Sequence, residues 1–135
     1  MGITGYWLVE DRVLCLQCTG ALTEADKPLL DQIVIGFLNK SKAATVHILN
    51  DVRSLTKPMP LASVLALEYL RHPKLGIRVA FGKEPGHEIF TVTNAVDQAF
   101  QRHSRNFISL DAALAFLQHV DVSLPDLQQF KHLIP

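Results

Sequence analysis

Apolar residues along this chain keep changing their spacing, and the changes mark its elements. "GYWLVE" and "RVLCLQCTG" are β-rich runs separated by Asp11, the pattern of an antiparallel hairpin. In "LTEADKPLLDQIVIGFLNK" the period becomes helical. Leu22, Ala25, Leu29, Ile33 and Phe37 form one stripe with Leu30, Val34 and Leu38 beside it, while Glu24, Lys27, Asp31 and Gln32 are expected to face away. Two starts compete for this helix: Thr23 as N-cap, or Asp26 as cap with Pro28 in the first turn. "ATVHILN" reads as a buried strand, and "LASVLALEYL", apolar nearly all round, as a helix covered on several sides and ended by His72-Pro73.

"GIRVAF" is the next strand. The segment from His87 to His103 is predicted helical, with Ile89, Val92, Thr93, Val96, Ala99 and Phe100 inward. "NFISL" is a last short strand, after which Ser109 caps "LDAALAFLQHV". "SLPDLQQFKHLI" closes as a helix capped by Ser123, with Asp126 completing a capping-box variant and Leu127, Phe130, Lys131 and Ile134 on one face. The order is β-β-α-β-α-β-α-β-α-α over residues 1–135, one α/β domain with no linker or repeat. Strands alternating with helices imply a small open mixed sheet, mostly parallel with one antiparallel edge strand, flanked by helices.

Composition narrows the function classes. Thirteen basic and thirteen acidic residues cancel, so broad electrostatic binding to nucleic acid or anionic lipid lacks its driving force. No apolar run approaches the ~18 residues of a membrane span. The amino terminus has no basic flank, Glu10-Asp11 interrupts any signal core, and Tyr6 stands where a myristoylation motif wants Ser or Thr. A cytoplasmic protein is expected. Charged residues are 19% and hydrophobic ones 48%, an apolar excess that favours self-association as a homodimer. The apolar helix Leu61–Leu70 and the stripe Leu127/Phe130/Ile134 are the candidate surfaces.

Candidate chemistry is sparse. Cys15 and Cys18 resemble half a zinc or redox site, but residues three apart on a strand point to opposite faces and no second pair completes them. The six histidines form no H-x-x-x-H pair; His87 and His103 are about 24 Å apart along a helix. "GKEPGHE" departs from the P-loop spacing and reads better as a Pro85-Gly86 turn before a helix. There is no G-x-S-x-G elbow and no Cys at a helix start. No metal, cofactor or catalytic residue is expected.

One stretch is polar between two buried runs: "NDVRSLTKPMPLAS", Asn50 to Ser63. Ligands of open parallel sheets bind outside the carboxyl ends of the strands, and this stretch and Gly82–Glu88 both leave such ends. Asn50, Asp51, Arg53, Ser54, Lys57, Lys83 and His87 are therefore the candidate binding residues on one rim. Arg53 and Lys57 offer cationic donors to a small anionic ligand or an acidic protein partner. Asp51 equally serves as an acceptor for its own loop backbone.

The runs "YWLVEDRVLCLQCTGALTEAD", "VHILNDVRSL", "HPKLGIRVAFG" and "FISLDAALAFL" together resemble the anti-sigma-factor-antagonist (STAS) domains and the wider SpoIIAA-like fold, which includes the lipid-binding CRAL-TRIO domains. The resemblance covers most of the chain and concerns fold rather than activity. It implies a bacterial, non-catalytic regulatory or binding module. The alternatives are a carrier for a small apolar lipid and a small enzyme using the rim. STAS regulators carry a phosphorylated Ser within an Asp-Ser-Ser/Thr-Gly pattern after the corresponding strand. That pattern is absent here, leaving Ser54 and Ser63 as weak phosphorylation candidates.

Overall fold

Strand β1 (Gly2–Val9) and strand β2 (Val13–Ala21) form the expected antiparallel hairpin in the computed structural model, which describes residues 2–84 and 86–135. Its tip is Asp11 at φ +68°, a left-handed position that Asp tolerates. Helix α1 (Lys27–Lys40) uses both competing starts in series. Thr23 caps a 3₁₀ turn at Glu24–Asp26, and Pro28 then opens the α-helix. After it come β3 (Val46–Lys57), α2 (Leu61–Leu65), β4 (Leu75–Phe81), α3 (Glu88–Phe100), β5 (Ser104–Phe107) and α4 (Leu110–Val120), the last capped by the Ser109 hydroxyl as expected.

The sheet runs β1-β2-β3-β4-β5, each strand beside its neighbour in sequence. Only β1–β2 is antiparallel; the other three pairs are parallel. Parallel connections cross over right-handed. When strand order never reverses, every crossover lands on the same face, and α1, α2 and α3 do so. Their Leu30, Val34, Leu38, Val64 and Val96, with Leu67 just past α2, join Leu14, Leu16, Ile48 and Val52 in one core. Helix α4 follows the last strand and is free to cover the other face, where Leu114 and Leu117 meet Val13, Leu49, Val79 and Phe81. Cys15 belongs to this second core and Cys18 to the first, as strand alternation requires.

Several elements depart from the local pattern. β3 does not end at Asn50 but continues to Lys57, because β2 runs on beside it and Ser54, Leu55 and Lys57 find partners in Thr19, Gly20 and Ala21. The connection proper is only Pro58–Pro60. The expected helix Leu61–Leu70 is a single turn and a half followed by a 3₁₀ turn, Tyr69–Arg71. The cause is Asp31, expected to face solvent but 6% exposed. Its carboxylate accepts the N–H groups of Glu68 and Tyr69 at 2.9 and 3.0 Å. In a continuous helix those donors would serve Val64 and Leu65. Leu29 and Ala99, expected inward, are exposed.

The predicted carboxyl-terminal helix is a 3₁₀ segment, Leu127–Leu133, capped by Asp126 rather than Ser123. Leu127 and Ile134 are buried against the α4 face, and Leu67, Tyr69 and Leu70 against the opposite one. Leu127, Ile134, Leu67, Tyr69 and Leu70 are thus spent within the protomer, whereas no residue of α2 is fully buried and Leu61 stays exposed. Gly76 admits a close approach: a Cβ there would lie 2.5 Å from His47 Nδ1.

Asp31→Ala strands two backbone donors at once. It should lower the unfolding free energy in urea by about 2–3 kcal/mol, and Asp31→Asn, which keeps an acceptor oxygen, by roughly half as much. A loss below about 0.5 kcal/mol would mean that the freed N–H groups find other partners.

Candidate functional site

The register of the β3–β4 and β4–β5 pairings sets Asn50, Ala80 and Asn106 abreast, with Arg78 and Ser104 two residues earlier on the same face. Above them lie Val64 of α2, Leu67 just past it, and Ile89, Val92, Thr93 and Val96 of α3. Helix and sheet do not close completely. They leave a cavity of about 110 Å³, with Leu30, Met59 and Cys18 at its other side. Its floor is the carboxyl-terminal half of β3, β4 and β5.

Arg78 is the polar centre of this apolar space. It is 8% exposed, and its Nη2 donates to Asp97 Oδ1 at 2.9 Å. The other oxygen of Asp97 is taken by Ser104, through its N–H at 3.2 Å and hydroxyl at 2.7 Å. The Nε–H of Arg78 is buried with no partner among the described residues. Tyr69 also lines the cavity, its phenol pushed up by burial and partly held back by the Arg78 charge. Burial likewise pushes the Cys18 thiol up to about 12 and the Cys15 thiol up to about 11, so neither is a thiolate near neutrality.

Only Asn50 of the residues expected on the rim reaches the cavity. Asp51 points to the opposite face, 3% exposed, and accepts from Arg53 three times: the backbone N–H at 3.2 Å, Nε at 3.0 Å and Nη2 at 2.8 Å. Arg53, half exposed, also lies over the Phe81 ring and donates to the Pro135 carbonyl. Its guanidinium is committed internally. Ser54 and Lys57 are exposed on the β3 extension. Lys83 Nζ donates to the Arg53 carbonyl at 3.3 Å, so the two polar segments do share one end of the sheet. Gly82, at φ +116°, is required there, because a Cβ would strike the Arg53 backbone at 2.8 Å. His87 caps α3, its Nδ1 accepting from Ile89 N–H at 3.2 Å. Ser63 lies half-buried in α2. Of the expected Pro85-Gly86 turn, Gly86 adopts φ +91° and Pro85 falls outside the described residues.

Sequence reasoning passed over Arg78, although "GIRVAF" displays the signal: one charge inside an otherwise apolar strand. It also passed over a polar knot at the other end of the sheet. His47 Nδ1 accepts from Ile77 N–H at 3.1 Å, so its proton lies on Nε2 and is donated to Asp121 Oδ2 at 2.8 Å. Ser123 Oγ donates to Asp121 Oδ1 at 2.6 Å, and Arg12 donates to both Asp121 and Ser123. Ser, His and Asp are all present, but both Ser and His donate to the Asp. No base faces the hydroxyl, so the wiring is that of a clamp and not of a nucleophile. Among the described residues no group of His, Cys, Asp or Glu is placed to hold a metal, and no helix is long and apolar enough to cross a membrane.

No protein-family model matches the chain, and no curated protein matches it. It is similar in structure to an uncharacterised protein of the DUF3478 family from Shewanella loihica PV-4, whose fold is described as SpoIIAA-like. The two share 18% identity and a TM-score of 0.63, over 86% of this chain and 92% of that one. The chain has the SpoIIAA-like fold, and at this identity the likeness is one of fold alone.

Two outcomes follow from the site's electrostatics. A small thiol reagent at pH 8 should leave Cys15 and Cys18 unlabelled in the native protein and modify both in denaturant; rapid native labelling would contradict their burial. The Asp121 carboxyl is held well below the usual carboxylate range, first by Ser123 and then by His47. Its stabilising contribution is therefore complete above the unfolded value near ~3.9 and is lost as pH falls towards the lower native one. Asp121→Asn should flatten the decline of stability below about pH 4, measured by urea unfolding at stepped pH.

Proposed function

We propose that this protein is a non-catalytic binding module of the regulatory kind, whose ligand occupies the cavity between the sheet and helices α2 and α3. The observation that carries this reading is Arg78: a buried guanidinium whose Nε–H has no partner among the described residues, in the lining of an apolar cavity. Buried donors without partners are costly, about 1–3 kcal/mol and more when charged, so native proteins rarely keep them idle. Concave apolar space with a few convergent polar groups is the usual form of a small-molecule site.

The groups around the cavity are poorly suited to chemistry. The Cys18 thiol is protonated, the Tyr69 phenol is held protonated, and both oxygens of Asp97 already accept hydrogen bonds. Binding is what remains for them to do. A bound molecule would touch α2 and α3 together, two elements joined to the sheet by short connections, and so bias the surface they present. The outer rim is a poorer site for an anion, since Arg53 is bound twice over by Asp51 and Lys83 is engaged with the Arg53 carbonyl.

The test is a fragment titration of isotope-labelled protein followed by nuclear magnetic resonance. Saturable shifts should cluster at Asn50, Ala80, Thr93 and Val96, and Val92→Phe, which fills the cavity from its half-exposed side, should weaken binding at least tenfold while leaving the dispersed spectrum intact. Shifts centred instead on Arg53, Ser54 and Lys83 would place the ligand on the rim and refute the reading.

A further inference from the structure

We propose that β1 is the seam of a homodimer: a second copy of the chain pairs antiparallel with its open edge, so that the two sheets run on as one. The strand order leaves two edges, β1 and β5. Open edges attract other strands, and proteins blunt them with shortness, charge or proline. β5 has such protection: it is four residues long and carries Arg105, which is exposed. β1 has none. Its eight residues, "GITGYWLV", contain no charge and no proline, and its irregularity lies at the hairpin end, between Trp7 and Val9. Among the described residues its outer N–H and C=O groups meet no other strand.

An apolar groove runs beside this edge, between Ile3 and Gly5 of β1 and Leu29, Ile33, Gly36 and Phe37 of α1. Leu29 is 44% exposed there. Gly36 is the sharper sign. Glycine is the poorest helix former after proline, yet nothing within the protomer requires it, for a Cβ at Gly36 would meet no atom within 4 Å. Gly5, by contrast, is required internally, since its Cβ would lie 2.7 Å from Ile33 Cγ2. The missing side chain at Gly36 admits the close approach of a second helix.

Geometry and charge select a second copy as the occupant. Gly5 lies against Ile33 and Trp7 against Phe37, so α1 runs along β1 in the same direction. The middle of a strand roughly 27 Å long thus sits on the middle of a helix roughly 21 Å long. One two-fold axis through that point, perpendicular to the sheet, pairs Ile3 with Trp7 of the other copy and lays the two α1 helices antiparallel on one face. Leu29 then meets Phe37 across the axis. The acidic turn Glu24–Asp26 comes beside Lys40 and Lys42 of the other copy, and opposite helix ends face each other. Such an interface is self-complementary and closes at two chains, while the guarded β5 edge stops further growth. It is a different surface from the Leu61 and Leu127 stripes.

The test is sedimentation equilibrium of the full chain from about 2 to 200 μM at pH 7, with amide hydrogen exchange over the same range. A dimer should form, and alternate β1 amides, those on the outer edge, should gain protection as concentration rises. Gly36→Gln should weaken dimerisation at least tenfold, yet leave the thermal midpoint equal or higher at a concentration where both proteins are monomeric. Glu24→Lys or Lys42→Glu alone should weaken association about fivefold, and the two together should restore it. A monomer at 200 μM, a dimer indifferent to Gly36→Gln, β1 exchange unchanged by dimerisation, or a double reversal no tighter than the single ones each overturns the proposal. None of these outcomes bears on the cavity.

Discussion

Sequential strand order combined with right-handed crossovers is the constraint from which the rest of this molecule follows. Because β2, β3, β4 and β5 lie side by side in the order in which they are made, the chain returns over the same face each time. That face receives α1, α2 and α3, and the other must be closed by whatever follows β5, namely α4 and the 3₁₀ segment Leu127–Leu133. There is accordingly no point at which the crossovers diverge to opposite sides. The crevice that opens at such a point in doubly wound sheets has no counterpart here. Space for a ligand has to arise within a layer instead, between the sheet and the helices crowded onto one side of it.

That space persists because the elements around it are held by polar contacts that do not permit them to settle further. Asp31 fixes the amino end of the Tyr69–Arg71 turn to α1. Arg102, just past the end of α3, donates to the carbonyls of Leu70, His72 and Leu75, tying that helix to the approach into β4. With both ends anchored, α2 is left as a short bridge. The Pro58–Pro60 connection and the interrupted helix give it too little length to cover the floor completely. A continuous helix over Leu61–Leu70 would have offered a longer apolar ridge to the sheet. The cavity is thus a consequence of diverted backbone hydrogen bonds, and the same diversion exposes Arg78 to an interior rather than to a packed wall.

Arg78 also shows why polar order and binding are linked in this protein. Its ion pair with Asp97 and the Ser104 bonds behind it join α3 to β5 across the sheet edge. Removal of either partner would leave an uncompensated buried charge. The group that would orient a ligand is therefore one that the fold already holds rigid, and a site built on strands keeps its geometry better than one built on loops. By contrast, the Asp51–Arg53 pair on the other face is satisfied internally and withdraws Arg53 from the rim, where Lys57 stays exposed.

Much of the architecture was legible along the chain because it depends on neighbours in sequence. The hairpin, the alternation of strands with helices, the opposite facing of Cys15 and Cys18 and the Ser109 cap all reside in patterns of period 2 or 3.6 and in single capping residues. The site was less so. The polar run from Asn50 reads as a loop until β2 is known to lie beside it, and the apolar run from Leu61 reads as one helix until Asp31 is known to take its donors. Both depend on contacts between residues more than thirty positions apart, about which local spacing is silent. The sequence by itself determined the order of strands and helices and most of their apolar faces, but not where β3 ends or that the Leu61 helix breaks. Tertiary structure alone decided where those faces fail to meet, because a cavity is a property of packed elements and not of any one of them.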